Sequence, residues 1–334
     1  MDHSTYFPKF LTDKVNINQT RLDTLSNRVD SVYTAIRADP DIGDLILGKI
    51  PQGSWPHRTI IRPRSGGDFD ADFLLHIDWV DGWSDNPREY PNAVYRALDH
   101  HTTYSKLDHG RRARSVYLNY APENGIGCHL DIVPFVTHPY RGTVIVNRDA
   151  NDWESSNPQG FTDWIKRMDA ATNGNFRTVV RLMKYYKVHK GSFGGVKSVI
   201  LTTLLGEQVN EWAAGIDPTR YSDIPTTLVD LVEKLDEYLR NHPIKPSLPN
   251  PSNDGTNFDH RWTQETYSHF AGRMAVAAAD MRAALDEPDF EKSVTAWQKI
   301  FGDGFQPSPS KPNPVAPPTT GALGSLSGRS GKSG

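Results

Sequence analysis

Apolar residues recur at steps of three and four along residues 8–38, at Phe10, Leu11, Val15, Ile17, Leu22, Leu25, Val29, Val32, Tyr33 and Ile36. That spacing predicts one long amphipathic helix ending near Asp39-Pro40. The period then changes. Residues 44–50 read as a strand or short helix leading to Pro51 and a turn at Gly53-Ser54. Next, Phe69, Ala71, Phe73 and Leu75 alternate with Asp70 and Asp72, the period of two that marks a strand. A helix follows near 89–101. A strand over 111–121 then pairs with the apolar run GIGCHLDIVPFV, residues 125–136, through a turn at Pro122-Glu123-Asn124-Gly125. After a short strand at 142–146 the strand signals stop. Residues 161–171, 176–190, 198–213, 226–240, 262–286 and 288–301 carry helical spacing, with a proline- and asparagine-rich connector from His242 to Asn257. The succession predicts an α/β (α+β) protein with a mixed sheet in a first lobe, residues 1–150, braced by the long helix, and a helical lobe over 151–305. Residues 306–334 are Pro, Ser, Gly, Thr and Lys with isolated apolar residues, a composition expected to stay disordered.

The alternation over residues 69–75 carries the candidate chemistry. Asp70 and Asp72 project from one strand face, about 6.6 Å apart along it, a spacing that can bracket two divalent ions about 4 Å from each other. Asp68 precedes them in the same alternation. Asp131 stands in the middle of an otherwise apolar strand, where an unpaired carboxylate is costly to bury. A metal shared with Asp70 and Asp72 would satisfy it, and so would a nearby arginine. Gly53 permits a tight turn, and Ser54 offers a hydroxyl and a backbone N–H that could hold a phosphate or merely cap the turn. Three arginines, Arg111, Arg112 and Arg114, stand close by in sequence, read as a solvated edge or as phosphate contacts. His57 and Arg58 in the loop after Ser54 leave the same choice open.

Composition narrows the classes. The chain of 334 residues has 37 basic and 40 acidic side chains and a net charge of −3, so no global positive field draws it to nucleic acid or anionic lipid. Its one cysteine, Cys128, excludes an intramolecular disulfide and a cysteine-rich zinc site. The N-terminus lacks the pattern of a secretory signal, and no run of about 18 apolar residues occurs. A cytoplasmic protein without membrane partners is expected.

Gly53-Ser54 followed by Asp70-x-Asp72 entering a strand, with Asp131 in the setting LDIVP on a later strand, resembles the cGAS/DncV-like nucleotidyltransferases, the CD-NTases of bacterial CBASS anti-phage signalling. The likeness continues in RLMKYY with Lys184, in KSVILTTLL with Ser198, and in WQKIFGDGF at 297–305, and so covers residues 1 to about 305. It implies a two-lobed, polymerase-beta-like fold with the active site between the lobes. It implies metal-dependent attack of a ribose hydroxyl on the α-phosphate of a nucleoside triphosphate, ATP among them, with release of pyrophosphate. In that scheme Asp70, Asp72 and Asp131 are catalytic and hold two Mg²⁺ ions, or Mn²⁺. Gln52, Gly53, Ser54, Lys184 and Ser198 orient the triphosphate. The product is a cyclic di- or trinucleotide that switches on a separate effector. A ubiquitin-like transfer enzyme acting on the C-terminus at Gly334 is a further partner the resemblance suggests. The single cysteine departs from the zinc element of animal cyclic GMP-AMP synthase, so activation by double-stranded DNA is not implied. Val199 offers no aromatic base-stacking group after Ser198.

Residue by residue, the bland alternatives stay open. Lys184 lies beside Val180 and Val188 and could be a lysine snorkelling over apolar surface. Ser198 is expected to be an N-cap, itself a position suited to phosphate. A nucleotide-adding enzyme acting on RNA or a small acceptor would use the same acids but would favour a basic face. An inactive nucleotide-binding or interaction module would not need all three carboxylates. Asp99-His100-His101, at a helix end, and Gly331-Lys332-Ser333, without the first glycine of a phosphate loop, are set aside as chance matches.

Overall fold

The computed structural model describes residues 3–63, 69–123, 126–217, 219–252 and 254–307. Asp68, the Asn124-Gly125 part of the expected turn, and residues 308–334 of the expected tail lie outside the described residues.

The apolar run over 8–38 folds as two helices, α1 (Tyr6–Phe10), which continues into a π-helical turn Leu11–Val15, and α2 (Gln19–Arg37). The single expected helix breaks because Asn16 is extended and bridges to Ile61, while the Asn18 side chain accepts the Arg21 N–H and caps a new helix. Hydrophobic spacing carries no mark of this, since Leu11 and Val15 on one side of the break and Ile17 and Leu25 on the other are all buried.

The chain then forms β1 (Ile46–Gln52), β2 (Phe69–Ile77), α3 (Glu89–His100), β3 (Asp108–Arg111), β4 (Val116–Glu123), β5 (Ile126–His138), β6 (Gly142–Asn147) and β7 (Asp152–Ser155). The strand expected over 111–121 is thus the hairpin β3–β4. These strands make one sheet in the order β1-β2-β5-β4-β3, with β6 and β7 continuing from β5. β2 and β5 run parallel and the other neighbours antiparallel, so the sheet is mixed as expected. One sheet face takes Phe69, Ala71, Phe73, Leu118, Leu130 and Ile132 against Leu25, Val29, Val32 and Ile36 of α2 and Tyr90, Val94 and Leu98 of α3. Strand alternation then commits Asp70, Asp72, His129 and Asp131 to the other face.

The second half is helical: α4 (Pro158–Ala171), α5 (Phe176–His189), α6 (Ser198–Gly206), α7 (Glu211–Ile216), α8 (Ile224–Asn241), α9 (Gln264–Asp286) and α10 (Phe290–Phe301). The helix expected over 198–213 is divided. α6 ends at Gly206, where a Cβ would lie 2.3 Å from the Trp164 ring, and α7 restarts behind Asn210, whose side chain accepts the Ala213 N–H. α5 packs against α4, α6, α8 and α10 within an apolar cluster separate from that under the sheet. The chain's first residues join this helical cluster. Phe7 meets the rings of Trp297 and Phe305, Phe10 meets Phe301, and His3 stacks on Phe290 and bonds to the buried Ser293 hydroxyl.

Candidate active site

Strand register builds the site in two rungs. Gln52, Asp72, Asp131 and Tyr117 lie side by side across β1, β2, β5 and β4, and Asp70, His129, Asn119 and Asp108 lie side by side across β2, β5, β4 and β3. Asp70, Asp72 and Asp131 line one open cleft of about 810 Å³, together with Arg112, His129 and Asn119. The three acids read from the sequence therefore meet in one place.

Their surroundings differ. Asp70 is exposed. Asp72 is half-buried, and burial, joined by the charges of Asp131 and Asp70, pushes its carboxyl up to about 7, with Arg112 opposing the rise. Asp131 has both oxygens engaged: Arg112 Nη1 donates to Oδ2 at 2.9 Å and Ser115 Oγ donates to Oδ1 at 2.8 Å. His129 Nε2 stands 3.4 Å from the same Oδ2, and its Nδ1 bonds to Asn119. An arginine does satisfy the mid-strand carboxylate, and this arginine stands in the cleft. Its sequence neighbours go elsewhere. Arg111 bonds to Asn92 and covers the Tyr95 ring, and Arg114 grips Glu154 through two nitrogens.

Three clustered carboxylates offer the hard oxygen donors that suit Mg²⁺ or Mn²⁺, and an arginine, Arg112, faces them. The donor chemistry fits a divalent ion. Among the described residues, however, no three His, Cys, Asp or Glu side chains are gathered as a ready-made cage. The Asp131 oxygens face Arg112 and Ser115.

The Gly-Ser turn is fitted to the acids. Gly53 has φ +77°, and a Cβ there would lie 2.3 Å from Asp72 Oδ2, so both conformation and space require glycine. The Ser54 carbonyl accepts the N–H groups of Thr59 and Ile60 at 2.9 and 3.1 Å, folding the loop back on itself. α5 holds that loop from the other side. Lys184 is buried and its Nζ donates to Thr59 O at 2.9 Å, Arg181 donates to Arg58 O at 3.3 Å, and His57 bonds to Thr162 of α4 at 3.0 Å. Lys184 is therefore no snorkelling surface lysine. Burial, with the charge of Lys187 added, pulls its amine down to about 8. Burial and the charges of Lys184 and Arg177 hold His57 down at about 4.

Ser198 departs from expectation. The N-cap of α6 is Lys197, in extended conformation and without a side-chain cap bond, and Ser198 is the exposed first residue of the helix. It is not among the residues lining the cleft. His129 was legible but unread: in GCHLDIV it precedes Asp131 by two and so shares its strand face.

Residues 1–169 match the family pattern described as the Second Messenger Oligonucleotide or Dinucleotide Synthetase domain. A cyclic AMP-AMP-AMP synthase of Acinetobacter sp. is 23% identical over 305 residues, covering 90% of this chain and 84% of the relative. Among solved structures, E. coli MS115-1 CdnC with ATP aligns at 23% identity and TM-score 0.66, over 92% of this chain and 99% of that one. Vibrio cholerae DncV cyclic AMP-GMP synthase with nonhydrolyzable GTP aligns at 13% identity and TM-score 0.69, over 91% and 96%. Both likenesses show the fold.

Proposed function

The chain belongs to the Second Messenger Oligonucleotide or Dinucleotide Synthetase family of nucleotidyltransferases, and from that premise we propose that it joins nucleoside triphosphates, ATP among them, into a cyclic di- or trinucleotide and releases pyrophosphate. The relatives' names favour an all-adenine trinucleotide. The observation that carries the reading is the meeting of Asp70, Asp72 and Asp131 in one cleft beside a turn that only glycine can make.

Asp70, Asp72 and Asp131 would hold Mg²⁺ or Mn²⁺, which when bound neutralises phosphate charge and makes an attacking hydroxyl more acidic. The protein's own part is positioning. The Gly53-Ser54 turn, stiffened from within by the Ser54 carbonyl and from behind by Lys184 and Arg181, presents backbone N–H groups to an incoming phosphate chain. Gln52, in register with Asp72, borders that turn. Lys184, mostly protonated at neutral pH, adds positive charge one hydrogen bond away from the loop. Asp131, on the β4 side of the acids, would orient the acceptor hydroxyl and take up its proton. Ser198 enters the reading only as a residue of the neighbouring helix N-terminus.

In this reading the product acts on a separate effector within an anti-phage system. Incubation of the purified protein with all four labelled nucleotides, Mg²⁺ and no acceptor, followed by mass spectrometry, tests the synthesis. A phosphatase-resistant cyclic product is expected. Transfer only to added RNA, or no pyrophosphate release, overturns the reading.

A further inference from the structure

The Asp131 carboxylate meets a built-in cation. Arg112 lies between β3 and β4, its backbone fixed by a bond from its N–H to Ser115 O at 2.7 Å and by Arg148 Nε bonding to its carbonyl at 3.3 Å. From there its guanidinium passes over the Tyr117 ring, 5.0 Å from the centroid, and reaches Asp131 Oδ2 at 2.9 Å. Ser115, from the same turn, takes the other oxygen. The turn thus delivers two donors to one carboxylate, and an arginine never loses its charge at accessible pH. Opposite them, Asp72 lies in register with Asp131, and Asp70 lines the same cleft. One arginine cannot neutralise three acids.

We propose that Arg112 is a positioning residue for Asp131: it holds the carboxylate in place while no metal is bound and must be displaced from Oδ2 before a divalent ion can use that oxygen. It therefore sets the ion concentration at which the site fills. The inference rests on the three acids being the metal site. Arg112 is half-exposed, with its guanidinium over the Tyr117 ring, so its removal spares the core. Two cations competing for one oxygen are reciprocally coupled, and loss of one strengthens the other by roughly tenfold.

The experiment is Mn²⁺ titration of the full-length protein, with free ion read by electron paramagnetic resonance. Arg112→Gln is expected to bind Mn²⁺ roughly tenfold tighter than wild type, and Arg112→Met, which keeps an unbranched stem without the charge, to do the same. Arg111→Gln removes an equal charge next door whose side chain bonds to Asn92 instead, and stays near wild type. Unchanged or weaker Mn²⁺ binding in both Arg112 variants overturns the proposal, as does an equal gain in Arg111→Gln, which would make the effect one of general field. If wild type and Asp70→Asn/Asp72→Asn hold Mn²⁺ equally, the acids are not the metal site, and the underlying reading fails with the proposal.

Discussion

Two clusters of ionisable side chains flank the loop that begins at Gly53, one acidic and one basic. On the sheet side, Asp70, Asp72 and Asp131 share one cleft in which Arg112 pairs with Asp131, and burial, with the charges of Asp131 and Asp70 added, pushes Asp72 up to about 7. On the helix side, burial pulls Lys184 down to about 8 with the charge of Lys187 added, and His57 down to about 4 with the charges of Lys184 and Arg177 added. Elsewhere charge is paired in the ordinary way, as in Arg177 with Asp169 at 3.0 Å or Arg220 with Asp230 at 3.0 Å. In the proposed reading the contrast has a use: a cation would relieve the first region and an anion would suit the second, and a metal-bound triphosphate would bring both.

The comparison is broken most sharply from the acid side. Asp70→Asn/Asp72→Asn should lower cyclic nucleotide formation by roughly 10³ or more, with the far-ultraviolet circular dichroism of wild type. Asp131→Asn should do likewise. Retained synthesis in either would detach the acid cluster from catalysis. Gly53→Ala acts on the joint between the clusters, since the new methyl would displace the Asp72 carboxylate or the loop. A displacement of that kind is expected to cost roughly a hundredfold in kcat/KM, with a lowered Tm from the positive φ. From the base side, Lys184→Met keeps volume and removes charge. It should raise KM for nucleotide roughly tenfold with kcat little changed. A fall in Tm with normal nucleotide binding would instead make Lys184 a plain tie to Thr59.

The smallest effect sharpens the base side alone. The folded state depresses His57 from 6.5 to about 4, so the stability gained from keeping it neutral is present above pH 6.5 and is lost as pH falls toward 4. His57→Gln, which can keep the bond to Thr162, should flatten that loss. At pH 5 the two proteins should differ by about 1–2 kcal/mol relative to their difference at pH 7.5, measured as urea midpoints.

What the sequence disclosed divides along the same line. The acid cluster was legible because strand alternation and two short motifs decide which face each carboxylate takes, and the register of β2 with β5 follows from burying the other face. The base cluster was legible only in part: Lys184 and His57 stood out singly, but not that they meet around one loop. Lys184 and Thr59 are 125 residues apart, and no periodicity records that one reaches the other. Arg112 stayed undecided between a solvated edge and a phosphate contact for the same reason, since its acid lies 19 residues on, beyond β4. Ser198 misled because capping propensity favours serine, yet the backbone of Lys197 turns into the helix one residue earlier. The break between α1 and α2 escaped because both halves are equally apolar and only the Asn16 and Asn18 geometry separates them.

The aromatic contacts of His3, Phe7 and Phe10 with Phe290, Trp297, Phe301 and Phe305 bear on how the chain is made. At about 5–20 residues per second, a ribosome takes roughly 15–60 s to travel from Phe7 to Trp297. The sheet can close as soon as β7 has emerged, and Phe10 finds the Tyr185 ring once α5 is made, but Phe7 waits for Trp297 and Phe305 before its ring is covered. The helical half is therefore sealed later than the sheet.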